Sequence, residues 1–298
     1  MATNGDVDKV KDILDNTTII NINYKDEYGW SPLMEASQKG HLKIVQLLIE
    51  HGANIDDKEN TGMTSLILAS QRGKLDVVQF LLQNGADVNF ISNIKKTALM
   101  SASWDNHLDV VQLLIESGAN VDGKDMYGNT ALHYACKNGT VNHLDVVQLL
   151  IESGANVDSK DVNGNTALYY ACKNGTNIPI IKKLLESGSD PNITNNIREK
   201  PIDVFQGTEK DKEEVDRLIK KSMILHAVKS IDSSIGKYNN AFSENNPSGF
   251  ENLENLKEYL GGKYKKTKKT KKTKNTKKTK KTKKTKKTKK RRSKRRKL

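Results

Sequence analysis

The fold is decided by the stretch Gly128-Asn129-Thr130-Ala131-Leu132, because versions of it return along the chain. The other copies are Gly29-Trp30-Ser31-Pro32-Leu33, Gly62-Met63-Thr64-Ser65-Leu66, Lys95-Lys96-Thr97-Ala98-Leu99 and Gly164-Asn165-Thr166-Ala167-Leu168. A second motif, Gly-Ala-Asn/Asp-Val/Ile-Asn/Asp, begins at Gly52, Gly85, Gly118 and Gly154, with a degenerate copy at Gly188. Its copies are 33, 33, 36 and 34 residues apart. Two motifs that keep one phase over five units indicate an array of stacked structural units.

Each unit predicts two short helices. The first contains small residues, as in 31–39, and the second has one apolar stripe at helical spacing, as in 42–49. Two such helices cannot enclose a core alone, so neighbouring units must stack and bury a continuous apolar seam. Equivalent positions of the first helices supply this seam: Leu33, Leu66, Leu99, Leu132 and Leu168, with Ala36, Ala69, Ala102, Ala135 and Ala171.

The two motifs resemble the ankyrin repeat, whose 33-residue unit combines a β-turn with two helices and carries a Thr-Pro-Leu-His-x-Ala signature. The resemblance extends over about residues 5–222. It implies an all-α solenoid of helix-turn-helix and β-turn units, with about five full repeats and two capping units in 1–222. We expect a short helical extension and linker in 223–262 and a disordered polybasic tail in 263–298.

Charge is distributed unevenly between the solenoid and the tail. The whole chain has a net charge of +14, but residues 263–298 contain 24 Lys and Arg and no acidic residue. Residues 1–262 therefore hold 26 basic and 36 acidic residues, a net charge of −10. The tail repeats a Lys-Lys-Thr triplet, a composition that cannot form a packed core and predicts disorder.

Three functions are open for the tail: nuclear targeting, non-specific binding of DNA or RNA, and contact with an acidic partner. The residues expected to serve targeting or polyanion binding are Lys289, Lys290, Arg291, Arg292, Lys294, Arg295, Arg296 and Lys297. The Gly-Gly-Lys junction and Lys-Thr tail resemble the C-termini of many proteins of giant DNA viruses of protists. That resemblance would place the protein inside a host cell.

The sequence excludes several other classes of protein. No apolar run approaches the roughly 18 residues of a membrane span, and the N-terminus lacks a signal-peptide pattern, so we expect an intracellular protein, cytoplasmic or nuclear. No phosphate-binding glycine loop, Cys-x-x-Cys pair or nucleophile elbow is present. We therefore predict a monomer with no catalytic activity, no cofactor and no metal.

The histidines and cysteines favour structural roles. His41, His107 and His143 stand at equivalent repeat positions, so they should form a column instead of converging on a ligand. His133 occupies the histidine position of the ankyrin signature, which predicts a hydrogen bond to its own turn. Cys136 and Cys172 are expected to be reduced core residues, because stacked helices lie about 8–10 Å apart and a disulfide needs Cα atoms within about 7 Å.

The resemblance implies that a protein partner docks on the concave face, formed by the turn tips and the exposed edge of the first helices. Our candidates for this contact are Tyr28, Trp30, Met63, Arg72, Ile94, Trp104, Met126 and Tyr127. Both tryptophans of the chain are included, at positions where stacking requires no aromatic ring, and Trp and Tyr dominate binding hot spots. The alternative is that each ring packs on its own repeat.

Two other functions stay open. The tail could be the main functional element of a nucleic-acid-binding protein, with the solenoid as its carrier, or the chain could be a substrate adaptor for a ubiquitin ligase.

The third copy of the turn motif departs from the others. Lys95 replaces the turn glycine of the third copy, and a non-glycine residue at positive φ is costly, so we expect this turn to be rebuilt.

Overall fold

The computed structural model describes residues 5–16, 21–138, 143–175 and 177–224. Eleven α-helices lie between residues 7 and 186 of these ranges: α1 (Val7–Asn16), α2 (Pro32–Lys39), α3 (Leu42–Glu50), α4 (Ser65–Gln71), α5 (Leu75–Gln83), α6 (Ala98–Trp104), α7 (Leu108–Glu116), α8 (Ala131–Asn138), α9 (Leu144–Glu152), α10 (Ala167–Asn174) and α11 (Ile178–Glu186). A 3-10 helix, Pro201–Val204, and helical residues 209–224 follow. The regular elements of the described residues are all helical, so the all-α prediction is confirmed.

The helices form two layers. The first helices of successive repeats pack on one another in the order α2, α4, α6, α8 and α10, and the 3-10 helix packs on α10. The second helices α3, α5, α7, α9 and α11 form the other layer, and each first helix packs on its own second helix. Helix α1 packs on α3, as expected for the second helix of an N-terminal capping unit.

The predicted apolar seam is the core of the protein. The five aligned leucines are at most 1% exposed, and the five alanines beside them are equally buried. The second helices contribute Val, Ile and Leu from one face, such as Val110, Val111 and Leu114 of α7. Each unit therefore buries its apolar residues against its neighbours, which is the energetic basis of a repeat solenoid.

Cys136 and Cys172 are free, buried thiols in this seam, as predicted. Burial raises the pKa of Cys172 to about 12 and raises the pKa of Cys136 as well, so both stay protonated at neutral pH.

Side-chain caps and glycines fix the helix ends. Thr97 accepts the backbone N–H of Met100 at the start of α6, and Ser31, Thr64 and Thr166 cap their helices in the same way. After α7, Gly118 adopts φ +88°, the left-handed conformation expected for the glycine of this motif. Pro179 lies in the first turn of α11, where a proline is tolerated.

Two parts of the predicted organisation lie outside the described residues. These are the extension and linker beyond residue 224 and the polybasic tail 263–298. Within the described ranges, no helix is both long and apolar enough to cross a membrane.

Candidate protein-interaction surface

Six turn tips project from the repeats, and each has five residues: 26–30, 59–63, 92–96, 125–129, 161–165 and 195–199. In the fourth tip, the Gly128 N–H donates to the Asp125 carbonyl and the Asp125 N–H donates to the Asn129 carbonyl, both at 3.0 Å. The Asp125 carboxylate accepts the backbone N–H groups of Tyr127 and Asn129 at 2.8 and 2.7 Å. The other five tips repeat the two backbone bonds, so they share one geometry.

Backbone hydrogen bonds also join each tip to the next. The N–H of the second residue in a tip donates to the carbonyl of the third residue in the preceding tip, at 2.9–3.1 Å. The five donors and acceptors are Asn60 to Tyr28, Asn93 to Thr61, Met126 to Ile94, Val162 to Tyr127 and Asn196 to Asn163. The second and third side chains of every tip are therefore held in register along one edge of the protein.

Many of these aligned side chains are apolar and exposed. The apolar tip row comprises Tyr28, Ile94, Met126, Tyr127, Val162 and Ile197, with exposed fractions from 40% at Ile94 to 73% at Ile197. The sequence pattern had singled out four of them as contacts. Ile197 was missed because the sixth tip has Arg198 where the motif has glycine and Pro201-Ile202 where it has Ala-Leu, although it follows the fifth tip in phase.

The prediction of a rebuilt third turn is wrong. Lys95 adopts φ +57° in the place of the turn glycine, and Arg198 does the same at φ +66°. The Lys95 N–H still donates to the Ser92 carbonyl at 2.8 Å, and the Ser92 N–H donates to the Lys96 carbonyl at 3.1 Å. The left-handed conformation costs a non-glycine residue about 1–2 kcal/mol. The third tip nevertheless has the same hydrogen bonds, within the tip and to its neighbours, as the other tips.

A second group of side chains lies along the edge of the first helices and includes Lys96, the last residue of the third tip. The helix-edge cluster comprises Lys96, Trp104, Tyr134, Lys137 and Tyr170. The Trp104 ring meets the Tyr134 ring edge-on, with 5.8 Å between centroids, and Lys96 Nζ lies 5.3 Å from the Tyr134 centroid. One repeat further on, Lys137 Nζ lies 4.3 Å from the Tyr170 centroid. Rings and lysines thus alternate from one repeat to the next.

Hydrogen bonds tie the two tyrosines of the cluster to the tips. The Tyr134 hydroxyl donates to Asp125 Oδ2 at 2.7 Å, and the Tyr170 hydroxyl donates to Asp161 Oδ2 at 2.5 Å. Burial raises the pKa of both tyrosines well above the usual value, and the carboxylates raise it further. Burial also raises the pKa of Asp161, but the bonds from Tyr170 and Asn165 outweigh it and leave that pKa below its usual value.

The remaining candidates differ in exposure. Trp30 and Met63, each the fifth residue of its tip, are partly buried, and Arg72 is exposed after the end of α4. Met63 and Ile94 line one open groove of about 510 Å³ between the second and third tips, which also includes Lys96. Trp104 packs edge-on against Tyr134 of the next repeat. Its contribution to partner binding stays a prediction.

The histidines have the structural roles expected of them. His133 is 1% exposed, its Nδ1 lies 2.9 Å from Thr130 Oγ1, and its Nε2 lies 3.2 Å from the Asn165 carbonyl. Burial lowers the pKa of His133 to about 4, so the ring is neutral at physiological pH. His107 and His143 place Nε2 at 3.1 and 3.0 Å from carbonyls of the preceding repeat. Within the described ranges, no group of three or more His, Cys, Asp or Glu could hold a metal ion.

A solenoid of two-helix units with linked turn tips defines a repeat protein of the kind that binds other proteins. The family model for ankyrin repeats matches three times, over residues 1–92, 59–125 and 99–195. The chain therefore belongs to the ankyrin-repeat family. Ankyrin repeats generally mediate protein–protein interactions, and the fold is typically a non-catalytic scaffold.

Similar proteins agree with this assignment. "Ankyrin repeat, SAM and basic leucine zipper domain-containing protein 1" of Atelerix albiventris is 36% identical over 52 residues, and that of Mus musculus is 40% identical over 52 residues. Each match spans 17% of this chain and 10% of the relative's length. The ankyrin repeat domain of human ASB11 is similar in fold, with a TM-score of 0.66 and 23% identity over 73% of this chain and 95% of that domain.

Proposed function

We propose that the protein is a non-enzymatic scaffold that binds a protein partner through the apolar tip row. The observation that supports this most directly is the alignment of six exposed apolar side chains along one edge. Single exposed apolar residues are ordinary on protein surfaces, whereas aligned sets of them mark interaction sites. Tyr28 and Tyr127 add the aromatic side chains that are enriched in binding hot spots.

The hydrogen bonds between tips favour tight binding. Association costs free energy when loops and side chains must be ordered, and a surface that is already ordered avoids part of that cost. Every tip is closed by two backbone hydrogen bonds and joined to its neighbour by another. A partner therefore meets a surface whose backbone is already fixed.

The test replaces the centre of the row in the full chain, as Met126→Ser with Tyr127→Ser. The matched control is Leu108→Ser on α7, because Leu108 is also exposed, at 38%, but lies on a second helix away from the tips. In cells, proximity labelling with the wild type and the Leu108 variant should mark the same proteins. The tip variant should lose a defined subset of them. Identical labelling by all three proteins would contradict the proposal.

We propose a second role for the polybasic tail, as a polyanion anchor or nuclear-targeting segment. The supporting observation is the segregation of 24 basic residues in 263–298 from a region with a net charge of −10. Clusters of Lys and Arg bind phosphate backbones without reading base sequence. Removing residues 263–298 should release the protein from the nucleus or from nucleic acid, and an unchanged distribution would leave the tail without this role.

A further inference from the structure

The helix-edge cluster contains two lysines that are partly buried and have no acidic partner in contact. Within the described ranges, no carboxylate lies within 4.0 Å of Nζ of Lys96 or Lys137, although five ion pairs of that length occur elsewhere. Lys96 faces the Tyr134 ring, and Lys137 faces the Tyr170 ring and donates to Asn129 Oδ1 at 2.7 Å. Burial lowers the pKa of both lysines, because neither ammonium group has a salt bridge that would offset its loss of contact with water.

The nearest acidic residues are already engaged. Asp125 accepts the Tyr127 and Asn129 N–H groups through Oδ1 and the Tyr134 hydroxyl through Oδ2. Asp161 accepts hydrogen bonds from Asn163, Asn165 and Tyr170 in the same arrangement. Asp105 attracts Lys96 electrostatically but does not approach it within 4.0 Å. The lysines of the cluster thus have donors available to an incoming anion.

Apolar side chains flank these donors. Lys96 lines the open groove between the second and third tips together with Met63 and Ile94. Trp104 is partly exposed beside Tyr134, one repeat along from that groove. A ligand that satisfies the site must therefore carry negative charge next to apolar groups.

We propose that the helix-edge cluster binds an acidic segment of the protein partner, with carboxylates at Lys96 and Lys137 and apolar side chains against Ile94 and Trp104. This inference rests on the proposed function and specifies the chemistry of the partner. A protein segment with one or two carboxylates fits better than a nucleic acid. A polyanion would meet the repulsion of a region with a net charge of −10, and phosphates would leave the apolar flank without contacts.

In the experiment, a displayed library of random 16-residue peptides is selected for binding to the full-length protein. The variant Lys96→Gln with Lys137→Gln removes both donors. The variant Lys43→Gln with Lys182→Gln makes the same charge change on exposed positions of α3 and α11 and serves as the control. The tail is present in every protein, so peptides that it captures appear in all selections and can be subtracted.

We expect the wild type and the control to enrich peptides with Asp or Glu beside an apolar residue. Once the peptides common to all selections are subtracted, the Lys96/Lys137 variant should show no acidic enrichment. A labelled peptide that is specific to the wild-type and control selections should bind the variant about tenfold more weakly for each lysine removed. Thermal unfolding of each variant checks that the fold is intact.

The other outcomes separate this inference from the proposed function. The selection is repeated on the Met126→Ser/Tyr127→Ser variant. If the selected peptides show no acidic enrichment but are lost on this variant, the inference is overturned and the proposed function stands. Peptides that depend on neither set, or no enriched peptide, would overturn both. The binding of a single-stranded oligonucleotide is measured on the same variants. If the Lys96/Lys137 change weakens oligonucleotide binding as much as peptide binding, the inference is overturned in favour of nucleic acid at this site.

Discussion

At the scale of single residues, the side chain that a tip can carry at its turn-glycine position depends on the second residue of the next tip. A Cβ added to Gly29, Gly62 or Gly164 would lie 2.7, 2.5 or 2.6 Å from the Oδ1 of the asparagine that occupies the second position of the next tip. Lys95 is followed in the next tip by Met126, which has no amide at that place. Without that amide the third tip lacks the shortest of these side-chain contacts, and only backbone atoms of the next tip stay near, as at Gly128, where an added Cβ would lie 3.0 Å from the Val162 nitrogen.

This arrangement predicts coupling between Lys95 and Met126. Lys95→Gly should stabilise the fold by about 1 kcal/mol or less, because relief of left-handed strain exceeds the entropy cost of glycine. Met126→Asn should destabilise the wild-type protein but should have little effect when it is combined with Lys95→Gly. A double-mutant cycle measured by denaturant unfolding should give a coupling free energy above about 0.5 kcal/mol. Val162→Asn, which follows Gly128, is the matched control and should be tolerated alone. Additive effects would contradict the steric explanation.

His133 provides a pH-dependent contribution to stability. Its pKa in the folded state is about 4, against 6.5 for the ordinary side chain, so the unfolded chain binds more protons between these values. The contribution is fully present above pH 6.5 and is lost as the pH falls towards 4, by about 3 kcal/mol at most.

His133→Met should remove this loss. Met34 and Met100 occupy the equivalent position, with their sulfur atoms 3.4 and 3.5 Å from the capping N–H, so methionine suits the site. Denaturant unfolding of both proteins between pH 4 and 7 should give a difference in unfolding free energy that changes with pH. A constant difference would show that His133 does not titrate as stated.

At the scale of helices, the sequence predicted most elements because each is determined locally. The stretch 31–39 became α2, with Ser31 as its cap, and 42–49 became α3, one residue longer. What the sequence could not predict depends on contacts between repeats. The edge contact of Trp104 with Tyr134 joins two repeats, so the pattern of a single repeat does not contain it. The place of Lys95 in the motif indicated a positive φ, but whether the turn keeps its shape depends on its hydrogen bonds, including those to the neighbouring tips.

Stacking predicts how damage to one helix spreads. Leu99→Ala in α6 should destabilise the protein by about 2–5 kcal/mol, because Leu99 is 1% exposed and its loss leaves a cavity. Hydrogen exchange should show lost protection mainly in the adjoining repeats, since each unit contacts only its neighbours. Leu108→Ala, at a partly exposed position of α7, should cost much less. Equal loss of protection in every helix would contradict a one-dimensional array.

At the scale of the whole chain, two regions of the sequence carry opposite net charge. The region 1–262 has a net charge of −10, and the tail 263–298 has 24 basic residues. We therefore expect residues 1–262 to compete with an external polyanion for the lysines of the tail. Salt weakens both interactions, with a screening length of about 10 Å at 0.1 M.

The tail therefore predicts a specific pattern of nucleic-acid binding. The isolated tail should bind DNA and RNA alike, and if it engages 6–10 phosphates its affinity should fall by about 10³–10⁵ between 50 and 200 mM salt. The full chain should bind more weakly than the tail at low salt, because the acidic region competes for the same lysines, and the difference should narrow as salt increases. A labelled duplex titrated with the tail, the full chain and residues 1–262 measures all three affinities. If residues 1–262 bind as tightly as the full chain, or if one base sequence is clearly preferred, the tail is not an electrostatic anchor, because lysines contact phosphates and do not read base edges.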